Sequence, residues 1–209
     1  RTRLKEKYPG AYAYLLDFYD RLVPKCVSST GIRDVSNATA ETWYQYGRTQ
    51  ALTAFINTPK LIVKVMAKDN PMYALDNDDM LIASGGTAGY CAIAKKSGSK
   101  YELEYIQAWL SNSYTEKIFN IVGSDFEGGF TARGTSVLSA LPFVDLDFDN
   151  PKQKAIYDRV VEASREVYAI NEKLSQNPSK QIETTLKRQK AALIQELEEL
   201  ISRVYRLDF

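Results

Sequence analysis

Asn70, Pro71 and Tyr73 in "DNPMY" fill three places of a four-residue pattern, Asn/Asp/Ser-Pro-Pro-aromatic. That pattern holds the exocyclic amine of a base turned out of its duplex while the ring stacks on it, ready for methyl transfer. Such chemistry also needs a Gly-rich strand-to-helix turn to cradle S-adenosylmethionine. The one candidate turn, "GSDFEGGFTARG" at 123–134, has no β-prone run before it and no clear amphipathic helix after it. Met72 replaces the second proline, and about 150 residues lie ahead of the helical C-terminal part, too few for a seven-stranded methyl-transfer core. The stretch reads as a turn between two strands.

Two carboxylate groups could bind a metal ion. "DNDD" at 76–79 is the composition of a solvated turn, because Asn and Asp bond their own backbone there. "VDLDFD" puts Asp145, Asp147 and Asp149 on one side of an extended segment and Leu146 and Phe148 on the other, the ordinary half-buried alternation. No lysine is set near paired carboxylates in the Asp…Glu-x-Lys arrangement of a nuclease centre. The chain contains no histidine, so Ser-His-Asp, Cys-His and imidazole–metal chemistry are excluded together. Cys26 and Cys91 make neither a disulfide framework nor a zinc cluster and fit a reducing cytoplasm.

"ETWYQYGRTQAL" at 41–52 gathers Trp43, Tyr44, Tyr46, Arg48, Thr49 and Gln50 around Gly47. An arginine fork can grip a guanine edge or a phosphate, Gln can pair with adenine, and Tyr or Thr can reach phosphates. A strand with aromatic core residues and an exposed Arg has the same composition, and residue types alone leave both readings open. "SGGTAGY" at 84–90 and "EGGFTARG" at 127–134 are Gly-rich turns able to offer backbone N–H groups to phosphates. In "LKRQKAALIQELEEL" the basic residues Lys187, Arg188 and Lys190 lie inside a leucine seam, as on an ordinary coiled-coil surface.

These stretches need a scaffold. "PGAYAYLLDFYDRLVPK" reads as a helix of about three turns, begun by Pro9 and ended by Pro24. Residues 26–42 read as a loop. From Trp43 to Phe148 short β-prone runs alternate with Gly, Asn and Asp; "KLIVKVMA", "DMLIASGG" and "GYCAIAKK" are the predicted strands, and "ALPFVDLDF" is a strand or extended segment. "YELEYIQAWLSNSYTEKIFNIV" is helical. After Pro151 apolar residues recur by alternating fours and threes from Ile156 to Leu174, break at "NPSK", and resume from Ile182 through Leu186, Gln189 and Leu193 to Leu207. That is a coiled-coil seam, and the short break makes 152–207 an antiparallel helical hairpin. Gln189 interrupts the seam and is expected to fix register.

The chain is thus predicted as α+β: a linker helix over 1–24, a mixed β-rich domain over 25–150, and a coiled-coil hairpin over 151–209. The charged start "RTRLKEK", without a Met, suggests a piece of a longer protein. No apolar run is long enough to span a bilayer. A net charge of +1 does not exclude a nucleic-acid partner, since it reports nothing about distribution.

In order, the segments resemble the target recognition region of bacterial restriction–modification enzymes, specifically the type IIG proteins and TaqI-like adenine-specific DNA methyltransferases. "KYPGAYAYLLDFYDRL" is similar to the helix that follows their methyltransferase core, and "WYQYGRTQAL" to their Trp/Tyr, Gly-Arg, Gln signature. "PKLIVKVMAKDNPMYALDNDDMLIASGGTAGYCAI" is similar to the next strand pair. "YIQAWLSNS" stands where the family has an Ala-Leu-Leu-Asn-Ser-like helix, and "FEGGFTARGTSVLSALPF" where it has a Gly-Gly turn and a Leu-Pro-Ile end, with Phe143 in place of Ile. The terminal hairpin resembles the helical spacers of type I specificity subunits.

The resemblance covers nearly the whole chain and lacks the methyltransferase and nuclease motifs. It implies a non-catalytic module that binds double-stranded DNA at a specific sequence, with methyltransferase and nuclease domains elsewhere in the polypeptide. S-adenosylmethionine and magnesium would belong to those domains. Tyr44, Tyr46, Arg48, Gln50, Lys64, Thr87 and Arg133 are the expected DNA contacts. The rival reading is a protein-assembly module working through the hairpin, which could also carry an oligomer; a small carboxylate-dependent enzyme is a third. Recognition predicts a positive face containing Arg48 and Arg133.

Overall fold

The computed structural model describes residues 4–45, 55–68, 71–77, 80–82 and 89–207. The chain divides into two compact units, Arg1–Gln50 and Ala51–Phe209. Among its described residues the first holds three short helices, α1 (Leu4–Lys7), α2 (Pro9–Leu16) and α3 (Tyr19–Leu22). Pro9 opens α2, as its fixed φ favours. The single helix predicted here is interrupted at Asp17–Phe18, where Phe18 N–H donates to Leu15 O over three residues instead of four. Tyr12, Tyr19 and Tyr44 pack edge-on around the buried Trp43, with Tyr19 nearest at 4.7 Å between centroids. Arg33 Nη1 donates to Leu22 O at 2.9 Å and ties the loop back to α3.

The second unit begins with β1 (Lys60–Lys64) and β2 (Met66–Ala67), continues through β3 (Ala74–Asp76) and β4 (Tyr90–Ala94), and then turns helical at α4 (Leu103–Leu110) and α5 (Ser113–Val122). β5 (Asp125–Phe126), β6 (Phe130–Ala132) and α6 (Thr135–Ala140) follow, then the long helices α7 (Pro151–Ser175) and α8 (Lys180–Tyr205). Among the described residues two antiparallel three-stranded sheets form, in orders β3-β1-β4 and β2-β6-β5. The architecture is α+β, as predicted.

The predicted strand "KLIVKVMA" is divided at Val65, so that β1 joins one sheet and β2 the other. Of "DMLIASGG", Met80–Ile82 form no strand and the rest lies outside the described residues. "ALPFVDLDF" joins no sheet, yet its alternation holds: Leu146 is fully buried and Asp145 exposed. The predicted 101–122 helix breaks at Asn112, which is buried. Asn112 Oδ1 caps α5 by accepting from Tyr114 N–H at 2.9 Å, and its Nδ2 donates to Glu198 O in α8 at 3.1 Å.

One apolar core joins Leu61 and Val63 of β1, Tyr105, Trp109 and Leu110 of α4, and Phe119 of α5 to Ile156, Tyr157 and Val160 of α7 and Ile201 and Val204 of α8. The base of the hairpin is therefore part of the body's core, and the boundary drawn at 150 does not separate two cores. The distal half closes on its own cluster of Ala163, Ile170, Leu186 and Leu193. Asn177 takes φ +52° between the helices, where Pro178 bars it from continuing α7. Gln189, expected in the seam, is exposed on α8. No helix among the described residues is long and apolar enough to cross a membrane.

Candidate nucleic-acid interface

Lys64 closes β1 with its side chain exposed, directly across from Tyr90 of β4, which is also exposed. A lysine and a tyrosine side by side at the end of a strand pair can hold a phosphate by charge and hydroxyl. Tyr44 is half-buried in the aromatic cluster of the first unit, 6.2 Å from Tyr12 and 5.6 Å from Trp43 between centroids. Its ring has a packing duty there. Tyr46, Arg48, Gln50 and Thr87 lie outside the described residues. Among the predicted contacts, Lys64 is the described residue that presents an unpacked polar end to solvent.

Arg133 corrects an expectation. Its side chain is fully buried, and the guanidinium holds the Glu116 carboxylate of α5 with both nitrogens, Nη1 donating to Oε2 at 2.6 Å. Nη1 also donates to the Tyr73 hydroxyl at 3.1 Å, and the group lies 4.5 Å from the centroid of Phe119. A fork so occupied has no free face for a base or phosphate. Burial pulls the Arg133 pKa down, but the Glu116 and Tyr73 partners outweigh it and hold the pKa above its ordinary value. Burial pushes the Tyr73 hydroxyl up to about 12 against the pull of Arg133. Tyr73 is the aromatic residue of "DNPMY", and its enclosure under Arg133 assigns that ring to the core.

The cluster fixes the foot of a β-ribbon. Arg133 N–H donates to Val65 O at 2.7 Å, and Ala132 N–H to Ser124 O at 3.0 Å. A Cβ on Gly123 would fall 2.5 Å from Thr131 Cγ2 and 2.7 Å from Ala132 O, so β6 crosses directly over the end of α5. From there β5 and β6 run out through Asp125–Phe130, all exposed, to a turn with Gly128 at φ +81° and Gly129 at φ +78°. Both angles favour glycine. Phe126 and Phe130 are cross-strand partners at this tip, each about two-fifths exposed. The sequence shows the Gly-Gly turn but not its ribbon; the two phenylalanines flanking the glycines were the available signal.

Among the described residues no group of three or more His, Cys, Asp or Glu could hold a metal ion. Asp145 is engaged by Lys100 Nζ and by the Tyr101 hydroxyl, each at 2.8 Å, and the hydrogen bond from Lys100 lowers its pKa. Asp145 of "VDLDFD" therefore serves an ion pair.

No protein-family model matches the chain. Over 134 residues it is 42% identical to the protein named "Type II restriction enzyme and methyltransferase RM.Eco57I" of Escherichia coli. The matched stretch is 64% of this chain and 13% of that protein, so the chain is similar to a small segment of a restriction–modification enzyme.

Proposed function

We propose that this chain is the target recognition part of a restriction–modification enzyme. It binds duplex DNA at a specific sequence and presents it to methyltransferase and nuclease domains of the same cytoplasmic polypeptide, which would use S-adenosylmethionine and magnesium. The observation that carries this reading is the 42% identity over 134 residues to a restriction and methylation enzyme. The ordered Trp/Tyr, Gly-Arg and Gly-Gly motifs point the same way. Tyr44, Tyr46, Arg48, Gln50, Lys64 and Thr87 remain the proposed contacts; Arg133 leaves the set because Glu116 occupies it.

The test begins with selection from a pool of duplexes carrying a randomised central segment. Recognition predicts one enriched motif, and no enrichment would overturn it. Arg48→Ala is then titrated against the enriched duplex and a scrambled one at two salt concentrations. If Arg48 reads a guanine edge, the variant loses about 1–3 kcal/mol on the enriched duplex and tolerates substitution at one base position. If it touches a phosphate, both duplexes weaken alike and the salt dependence falls by about one charge. Unchanged binding to both removes Arg48 from the interface.

A further inference from the structure

We infer that the β5–β6 ribbon is itself a base-reading element, laying Phe126 and Phe130 against base edges in the major groove of the bound duplex. The inference rests on the recognition reading and adds a contact surface that lies outside the proposed contact set.

Four observations carry it. Beyond the last β2 rung at Ala67–Thr131, β5 and β6 pair alone at Phe126–Phe130, a two-stranded end that the major groove admits, and residues 125–130 are all exposed. It is held stiffly at the foot by the β2 pairing, the Gly123 crossing and the Arg133–Glu116 pair, so ordering it on DNA costs little. Its tip is two glycines without side chains, which lets the backbone approach a groove floor closely. Lys68 lies along that tip, its ammonium 3.7 Å from where a Gly129 Cβ would sit, and has no carboxylate partner among the described residues.

The acidic residues decide the orientation. Asp125 and Glu127 are exposed on the same ribbon and would repel a phosphate track. Base edges in the major groove offer what the backbone does not, since cytosine N4 donates to a carboxylate and the thymine methyl takes an apolar contact. Phenylalanine supplies that contact here, while Lys68 supplies the neighbouring phosphate contact. A protein partner could also cover two phenylalanines, but it would leave DNA binding unchanged on their removal.

The experiment uses the whole chain and the duplex that it enriches, with each thymine replaced in turn by 5-iodouracil. Irradiation should cross-link a peptide containing Phe126 or Phe130, located by mass spectrometry. The double variant Phe126→Ala/Phe130→Ala should melt like the parent. It should lose the cross-link and about ten-fold in affinity for the enriched duplex, with little change on a scrambled one. Lys68→Ala should weaken both duplexes. An enriched motif bound equally by the double variant, or cross-links confined to positions outside 125–131, overturns the ribbon inference and leaves recognition standing. If the parent enriches nothing, both fall. The cross-link map is read on the parent, so it decides the matter even if the double variant folds poorly.

Discussion

Removing the guanidinium of Arg133 would leave the Glu116 carboxylate beside Tyr73 and Phe119 without a counter-charge. Breaking a buried pair from one side typically costs about 3–5 kcal/mol, whereas replacing both partners by apolar residues can be nearly neutral. Glu116 keeps 15% of its side chain exposed and can recover some water, so Arg133→Met should cost near the lower end, about 3 kcal/mol. Adding Glu116→Leu should restore part of that loss. Urea unfolding of the three variants measures this. A midpoint unmoved by Arg133→Met, with DNA binding abolished, would instead make Arg133 an interface residue. Composition could not distinguish these roles, because "TARG" looks the same whether its arginine faces solvent or a carboxylate 17 residues earlier.

At the scale of elements, the hairpin was legible because most residues of its period vote on the same face, although Ile182 and Leu207 at the ends of the predicted seam are exposed. The break at "NPSK" and both helices fall where alternating threes and fours put them. The face drifted, however: a strict seam takes Gln189, while the helix buries Leu186, Leu193, Ile201 and Val204 and half-buries Lys190. A straight helix of 3.6 residues per turn drifts by about 20° per heptad from a 3.5 repeat, so the buried stripe need not follow a strict seam. Gln189→Leu should therefore leave the thermal midpoint nearly unchanged, within about 0.5 kcal/mol, as at other surface sites. Leu193→Ala should cost about 2–3 kcal/mol by emptying the distal cluster. Denaturant melts of the pair test the correction; a gain from Gln189→Leu larger than that bound would return it to the seam. Arg159 bridges the helices by donating Nε to Glu196 Oε1 at 2.5 Å and Nη2 to Oε2 at 2.7 Å, but it is one-third exposed and salt-screened, so the leucines outweigh it. The strands were less legible for the opposite reason. β2, β3, β5 and β6 have two or three residues each, too few for a period, and exist through partners such as Met66↔Ala132 that no local pattern announces.

Across the second unit, the aromatic residues that join body to hairpin set how stability depends on pH. Tyr101, Tyr105 and Tyr157 pack together between α4 and α7, and the Tyr205 hydroxyl of α8 is 2.7 Å from Thr115 Oγ1 of α5. Thr115 gives its own proton to Trp109 O at 2.6 Å, so Tyr205 is the donor in that contact. Burial raises the pKa of all four, as it does for Tyr73. Each folded value lies above the unfolded value of 10.0, so the native state holds protons that the unfolded chain releases. Their contribution is complete below pH 10.0 and is lost as pH climbs through the folded values, about 12 for Tyr73. Each tenfold change in a proton's affinity is worth about 1.4 kcal/mol, so Tyr73 alone contributes on the order of 2–3 kcal/mol to that decline. The thermal midpoint should be level near pH 9 and fall steeply above 10, with tyrosinate absorbance appearing together with unfolding. Tyr73→Phe should start lower, having lost the bond from Arg133, and fall less steeply. Tyrosines that ionise near pH 10 while the midpoint stays level would mean that the hydroxyls are hydrated and the junction between sheet and hairpin is open. Because Tyr157 and Tyr205 belong to the long helices and Tyr73 to the sheet side, a single alkaline transition would also show that hairpin and body unfold as one unit.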